Sequence, residues 1–172
     1  PGHDQNQWNR VKKQCAGVLG QSCTTEEIAL TSSATEGNNI VINGLPLEPG
    51  DEVITSTHEH AGLNIPLLNK MQRDGIVIKT FVPDFRDGIN NVNRIENLIT
   101  KRTKLIFISH ITCTTGQCFP VKAICELARD KGIWTALDGA QSAGNMPLDV
   151  KTYGCDFYTT SGHKWLLGPK RT

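Results

Sequence analysis

The sequence predicts an α/β layered domain: a mostly parallel sheet with helices on both faces. Three observations carry this. Short apolar runs rich in Ile and Val alternate with longer amphipathic stretches. One run, Lys104-Leu105-Ile106-Phe107-Ile108-Ser109, is nearly continuous in its apolar character, as a strand covered on both faces must be. The residues that follow each run are rich in hydroxyl, imidazole, carboxylate and amine groups, in which the runs themselves are not rich.

The elements follow in order. Ile28-Ala29-Leu30-Thr31 is expected as a strand and Glu36 to Leu45 as a helix. Glu52-Val53-Ile54-Thr55 is the second strand, and Ile65 to Arg73 lies in the second helix. Leu47-Glu48-Pro49-Gly50-Asp51 between them reads as a turn. Ile76 to Phe81 is the third strand, Asn93 to Thr100 the third helix, and Lys104 to Ser109 the fourth strand. Val121 to Lys131 is amphipathic and stops at Gly132. Trp134-Thr135-Ala136-Leu137 makes the fifth strand and Asp156 to Thr160 the sixth.

The 172 residues suffice for one compact domain with its own core. A net charge of +1 provides no bulk field for nucleic acid or a membrane surface. No apolar run reaches the length of a membrane span, and Pro1-Gly2-His3-Asp4 does not look like a signal peptide. Six cysteines, at 15, 23, 113, 118, 125 and 155, form no CxxC pair and no zinc-like spacing. They are expected as buried, reduced thiols, which places the protein in the cytoplasm.

In an open parallel sheet the ligand sits at the carboxyl ends of the strands, so the residues just past each strand belong together. Ser32-Ser33-Ala34-Thr35-Glu36-Gly37 opens a helix whose free N–H groups suit an anion; the alternative is a plain Thr35 N-cap. The dinucleotide and P-loop glycine signatures are absent, which leaves another kind of phosphate. Asp138 ends an apolar strand, where a carboxylate is costly without a cationic partner. A protonated ring nitrogen would be such a partner; capping of the following segment is the other reading. Lys164 follows a strand and precedes Trp165-Leu166-Leu167-Gly168-Pro169. A lysine held partly desolvated can act as an amine toward an aldehyde, and later move a proton at a substrate carbon. Ser161 and His163 beside it could meet a phosphate. His60 could stack on a cofactor ring; His58 and His60 as a metal pair is the weaker reading, because no third ligand is evident. Cys113 reads first as a packed thiol, with cofactor contact or catalysis as the alternative.

Taken together these residues resemble the class V aminotransferase-like, pyridoxal-phosphate-dependent enzymes, including cysteine desulfurases and isopenicillin N epimerase-like proteins. The resemblance runs through nearly the whole chain. It is most specific at "ALDGAQSAGNMPLDVKTYGCDFYTTSGHKWLLGPK", residues 136 to 170, with support from "TSSATEGNN" at 31 to 39 and "THEHAG" at 57 to 62. It implies a partial fold type I large domain over residues 1–172, a small domain beyond Thr172, and a homodimer at full length. It implies that Lys164 is the Schiff-base lysine and that Asp138 pairs with the pyridinium nitrogen. Gln141 would reach the ring hydroxyl and His60 the ring face, while Ala34, Thr35, Ser161 and His163 would hold the phosphate. Cys113 stands where desulfurases usually carry an asparagine that contacts the ring hydroxyl, so it too is assigned to the cofactor. "HKWLLGPK" looks more like the epimerase-like branch, and Arg171 stands where the family usually has glycine.

The function expected is that of an enzyme acting on an amino acid through pyridoxal 5'-phosphate, with no metal. Two other readings remain at this point: a cofactor-binding fragment without catalysis, and a nucleotide-binding α/β domain.

Overall fold

The computed structural model describes residues 2–170. Arg171 and Thr172 lie outside them. Five parallel strands form one sheet in the order β2-β1-β3-β4-β5: β1 (Glu52–Ser56), β2 (Val77–Phe81), β3 (Thr103–Ser109), β4 (Trp134–Asp138) and β5 (Phe157–Thr159). The helices are α1 (Gly2–Leu19), α2 (Ala34–Gly44), α3 (Ala61–Asp74), α4 (Gly88–Glu96), α5 (Val121–Asp130) and the single turn α6 (Val150–Tyr153).

β3 explains why helices are needed on both sides. Leu105 and Phe107 point into a core with Val41, Ile42, Leu63 and Leu67 of α2 and α3. Ile106 and Ile108 point into another with Ile95, Ile124 and Ala128 of α4 and α5. Alternate side chains of a strand face opposite ways, so a run apolar at every position requires cover above and below. Each such side chain contributes roughly 1.5–3 kcal/mol on burial.

The structure corrects the sequence reading in four places. Ile28 to Thr31 forms no strand; Ile28 is buried, but the segment has no ladder partner and runs into the N-terminus of α2. The sheet therefore has five strands among the described residues, not six. The third helix starts earlier, at Gly88, because Asp87 caps it by accepting the N–H groups of Ile89 and Asn90. It ends at Glu96, a turn at Asn97 and Leu98 follows, and Leu98 and Ile99 still pack on the core. The polar helix α1 was not expected at all; its sequence has no apolar face wide enough to read.

The cysteines differ from expectation too. Cys125 is buried, and burial pushes its thiol up to about 11. Cys113 and Cys118 are exposed, so neither is a packed thiol.

Candidate functional site

The chain reverses direction across the sheet between β1 and β3: β2 lies to one side of β1, and β3, β4 and β5 follow on the other. A crevice opens at such a switch point, outside the carboxyl ends of the strands. Here Glu59 ties the two strand ends together. Its carboxylate accepts from Ser56 Oγ at the end of β1 (2.5 Å) and from the backbone N–H and Oγ of Ser109 at the end of β3 (2.8 and 2.5 Å). Burial raises the Glu59 carboxyl above the usual carboxylate range, and the serine donors oppose this. Sequence reading took Glu59 only as the middle of a histidine pair. A buried carboxylate joining two strand ends leaves no periodic signal.

Beside Ser109 lies a cavity of about 220 Å³. All nine predicted site residues line it. Ala34 and Thr35 come from α2, His60 from the start of α3, and Cys113 from the loop after β3. Asp138 and Gln141 come from the end of β4 and its turn, and Ser161, His163 and Lys164 from the loop after β5. Ser33, Ser109, Ile111 and Ala140 also line it.

Asp138 is 5% exposed, and both of its oxygens are engaged. Oδ1 accepts from the Ala140 N–H (2.9 Å), so the local cap is real. Oδ2 accepts from Asn38 Nδ2 (2.9 Å), and Asn38 Oδ1 in turn accepts from Thr159 Oγ1 (2.6 Å). Asn38 is fully buried and fixes the carboxylate from behind. Its signal was available: Ala34, Asn38, Val41 and Ile42 share one helix face, and an amide on an apolar face must find partners. The turn after Asp138 is pressed against β5. A Cβ on Gly139 would lie 2.1 Å from the Tyr158 ring, so only glycine fits there.

Tyr158 is itself fixed from two sides, by His110 Nδ1 at 2.9 Å and Ser142 Oγ at 2.6 Å. Burial drives its phenol upward and lowers the His110 imidazole to about 4, so His110 is neutral at ordinary pH.

The N-cap of α2 is Ser33, not Thr35: its Oγ accepts the Glu36 N–H. Ser161 Oγ accepts the Ala34 N–H at 3.0 Å, joining the loop after β5 to the start of α2. His60 caps α3, its Nδ1 accepting the Gly62 N–H at 2.9 Å, which puts the proton of a neutral ring on Nε2. His58 turns to Thr57 and packs edge-on against Phe85. The two histidines thus serve different partners, and no group of three metal-ligating side chains occurs among the described residues. Lys164 is half-buried at the cavity wall. Among the described residues no carboxylate stands within ion-pair distance of its ammonium. Its loop is closed by Gly168 N–H donating to Gly162 O at 2.8 Å.

The donor set suits a flat, anionic, aldehyde-bearing heterocycle: a helix N-terminus and hydroxyls at one end, a buried carboxylate fixed from behind, and an amine at the wall. No helix among the described residues is long and apolar enough to cross a membrane.

Comparison with known proteins points the same way. The family described as aminotransferase class-V matches residues 3–170. Isopenicillin N epimerase of Amycolatopsis lactamdurans is 33% identical over 164 residues, 92% of this chain and 41% of that protein. A probable cysteine desulfurase of Pseudomonas aeruginosa is 37% identical over 145 residues, 83% of this chain and 36% of that protein. Among solved structures, a mutant of C-DES with glycine covalently linked to its PLP cofactor superposes with a TM-score of 0.88 at 28% identity. That match covers 98% of this chain and 44% of the other. The chain thus spans about two fifths of the length of the curated relatives it matches.

Proposed function

The chain belongs to the class-V aminotransferase family, and on that premise we propose that it is the cofactor-binding part of a pyridoxal-phosphate-dependent enzyme acting on an amino acid. The observation that carries the proposal is the meeting of Lys164, Asp138 and the N-terminus of α2 on one cavity. When bound, pyridoxal phosphate supplies an aldehyde for covalent attachment to an amine and a ring that draws electrons from a substrate carbon.

Each residue then has a definite task. Lys164 holds the cofactor covalently and moves a proton at the substrate Cα. Asp138, fixed by Asn38 and the Ala140 N–H, holds a proton on the ring nitrogen. His60, immobilised as the α3 cap, offers its face to the ring. The first turn of α2 at Ala34 and Thr35, with Ser161 and His163, would hold the phosphate, and the Ala34 N–H that Ser161 Oγ accepts here would be available to it. Gln141 and Cys113, which also line the cavity, would meet the ring hydroxyl. The substrate amino acid, the choice between desulfurase and epimerase branches, and a homodimeric assembly all belong to the whole protein. The relatives named above support an amino-acid substrate.

The test is spectroscopic and chemical. The full-length protein with pyridoxal phosphate is expected to turn yellow, and borohydride is expected to fix the cofactor on the peptide bearing Lys164. A label found on Lys170 or elsewhere rejects the assignment.

A further inference from the structure

A glutamine side chain has two ends of nearly equal shape and opposite character, one accepting and one donating. Which end of Gln141 faces the cavity therefore decides what it can do there. The indole N–H of Trp165 donates to Gln141 Oε1 at 2.9 Å. An indole N–H can only donate, so it selects the carbonyl end and leaves the NH₂ as the end of the amide available to an occupant. We propose that Trp165 is a positioning residue that sets the polarity of Gln141 and, through it, the protonation of the bound cofactor. The inference rests on the pyridoxal phosphate reading above.

Two further contacts lock the arrangement. The Gln141 carbonyl accepts from Asn145 Nδ2 at 3.1 Å, which holds the backbone of the turn. The turn also bears directly on the segment after Lys164. A Cβ on Gly144 would lie 2.8 Å from the Trp165 carbonyl carbon and 2.9 Å from the Leu166 nitrogen, and Gly144 has φ of +86°. Only glycine permits both the conformation and the approach. Trp165 follows Lys164 directly, so the segment that brings the amine to the cavity also aims the amide. The two cannot be displaced independently.

The chemical consequence is directional. An NH₂ presented to the ring oxygen stabilises its anionic form, whereas a flipped amide presents an acceptor and stabilises the protonated form. Trp165→Phe keeps the bulk and removes the donor. It is expected to raise the pH midpoint of the cofactor's visible colour change by about one unit, a tenfold change in proton affinity. Gln141→Leu is expected to raise it at least as far. The double variant is expected to go no further than Gln141→Leu alone, because Trp165 acts only through Gln141. A merely structural role for Trp165 would not produce that non-additivity.

A second readout needs no cofactor. In the apo protein, the indole ¹H–¹⁵N resonance missing from Trp165→Phe spectra is expected to shift in Gln141→Leu. If Trp165→Phe does not fold, the resonance is assigned in wild type by triple-resonance spectroscopy and decides alone, and an unmoved resonance overturns the inference. Equal colour midpoints in wild type and Trp165→Phe, or additive shifts in the double variant, also overturn it. A wild-type protein that never colours removes the cofactor reading and this inference together, which keeps the two failures distinct.

Discussion

The amino end of the sheet holds a cavity of about 260 Å³ beside Asp156, and the carboxyl end one of about 220 Å³ beside Asp138. Both ends also carry a buried glutamate that ties strands together. At the amino end Glu52 binds Lys79 of β2 at 2.9 Å and accepts from Thr100 and Thr103. At the carboxyl end Glu59 joins β1 to β3. Cavity volume and buried charge therefore do not distinguish the two ends. The difference lies in what the polar groups face. Asp156 takes the N–H and hydroxyl of Thr135 and serves the pairing of β4 with β5. Around Asp138 the fold adds an amine, an imidazole and an amide from three separate segments, all on one cavity. A site is marked by convergence of chemically varied groups from separate segments on one space.

The largest expected effect is at the carboxyl end. Lys164→Ala is expected to abolish borohydride-stable attachment of the cofactor and to cut turnover by roughly 10²–10⁴-fold, the range of a lost acid–base group. Peptide mapping and steady-state assays of the full-length protein check this. Retained attachment would dissolve the contrast between the ends.

The two aspartates sharpen it. Asp138→Ala removes a charge-assisted hydrogen bond to the ring, worth roughly 1.5–3 kcal/mol, so turnover is expected to fall about 10- to 150-fold with a smaller loss of bound cofactor. Asp156→Ala is expected to lower the unfolding midpoint and leave kcat/KM unchanged. Equal kinetic penalties in the two variants would refute the division of labour.

His110 gives a pH test. Its imidazole binds a proton less well in the folded state, at about 4, than at the ordinary value near 6.5. Stability is therefore lost as pH falls from about 6.5 toward 4, by at most about 1.4 kcal/mol per unit from this group. Urea unfolding is expected to show a smaller difference between pH 5 and pH 7 in His110→Gln than in wild type. An unchanged difference would remove His110 as its source.

Glu52→Gln is expected to cost about 1–2 kcal/mol of stability with no kinetic effect, because Lys79 loses its partner at the end remote from the cavity. The smallest effect is none: a strong chelator is expected to leave colour and turnover unchanged, since His60 is engaged in capping α3. Activity lost to chelation and restored by zinc would reverse that.

How much of this was legible in the sequence varies with the physics of each residue. The strands of β1 to β5 follow from apolar runs, and the convergence of their trailing residues follows from parallel connectivity alone. The strand-end stretches so grouped, together with the family resemblance, led to nine of the residues that line the cavity. Ile28 to Thr31 misled because four apolar and small residues look the same whether or not a ladder partner exists. The start of α4 was hidden because Asp87-Gly88 reads as a turn, although the aspartate is the cap. Glu59 and Trp165 were missed because Ser109 and Gln141, to which they bond, lie far along the chain and leave no periodicity, whereas Asn38 was legible as an amide on an apolar helix face.

The bond from the Ala34 N–H to Ser161 Oγ joins residues 127 positions apart. Contacts so distant along the chain form late in folding, since the loop they close must first be shortened by the pairing of the strands between them. The end of the cavity at the start of α2 is thus complete only once α2 and the loop after β5 have come together. A ligand that docks there acts as an inspector of finished molecules: it ignores partly folded chains and shifts the population toward complete ones by mass action.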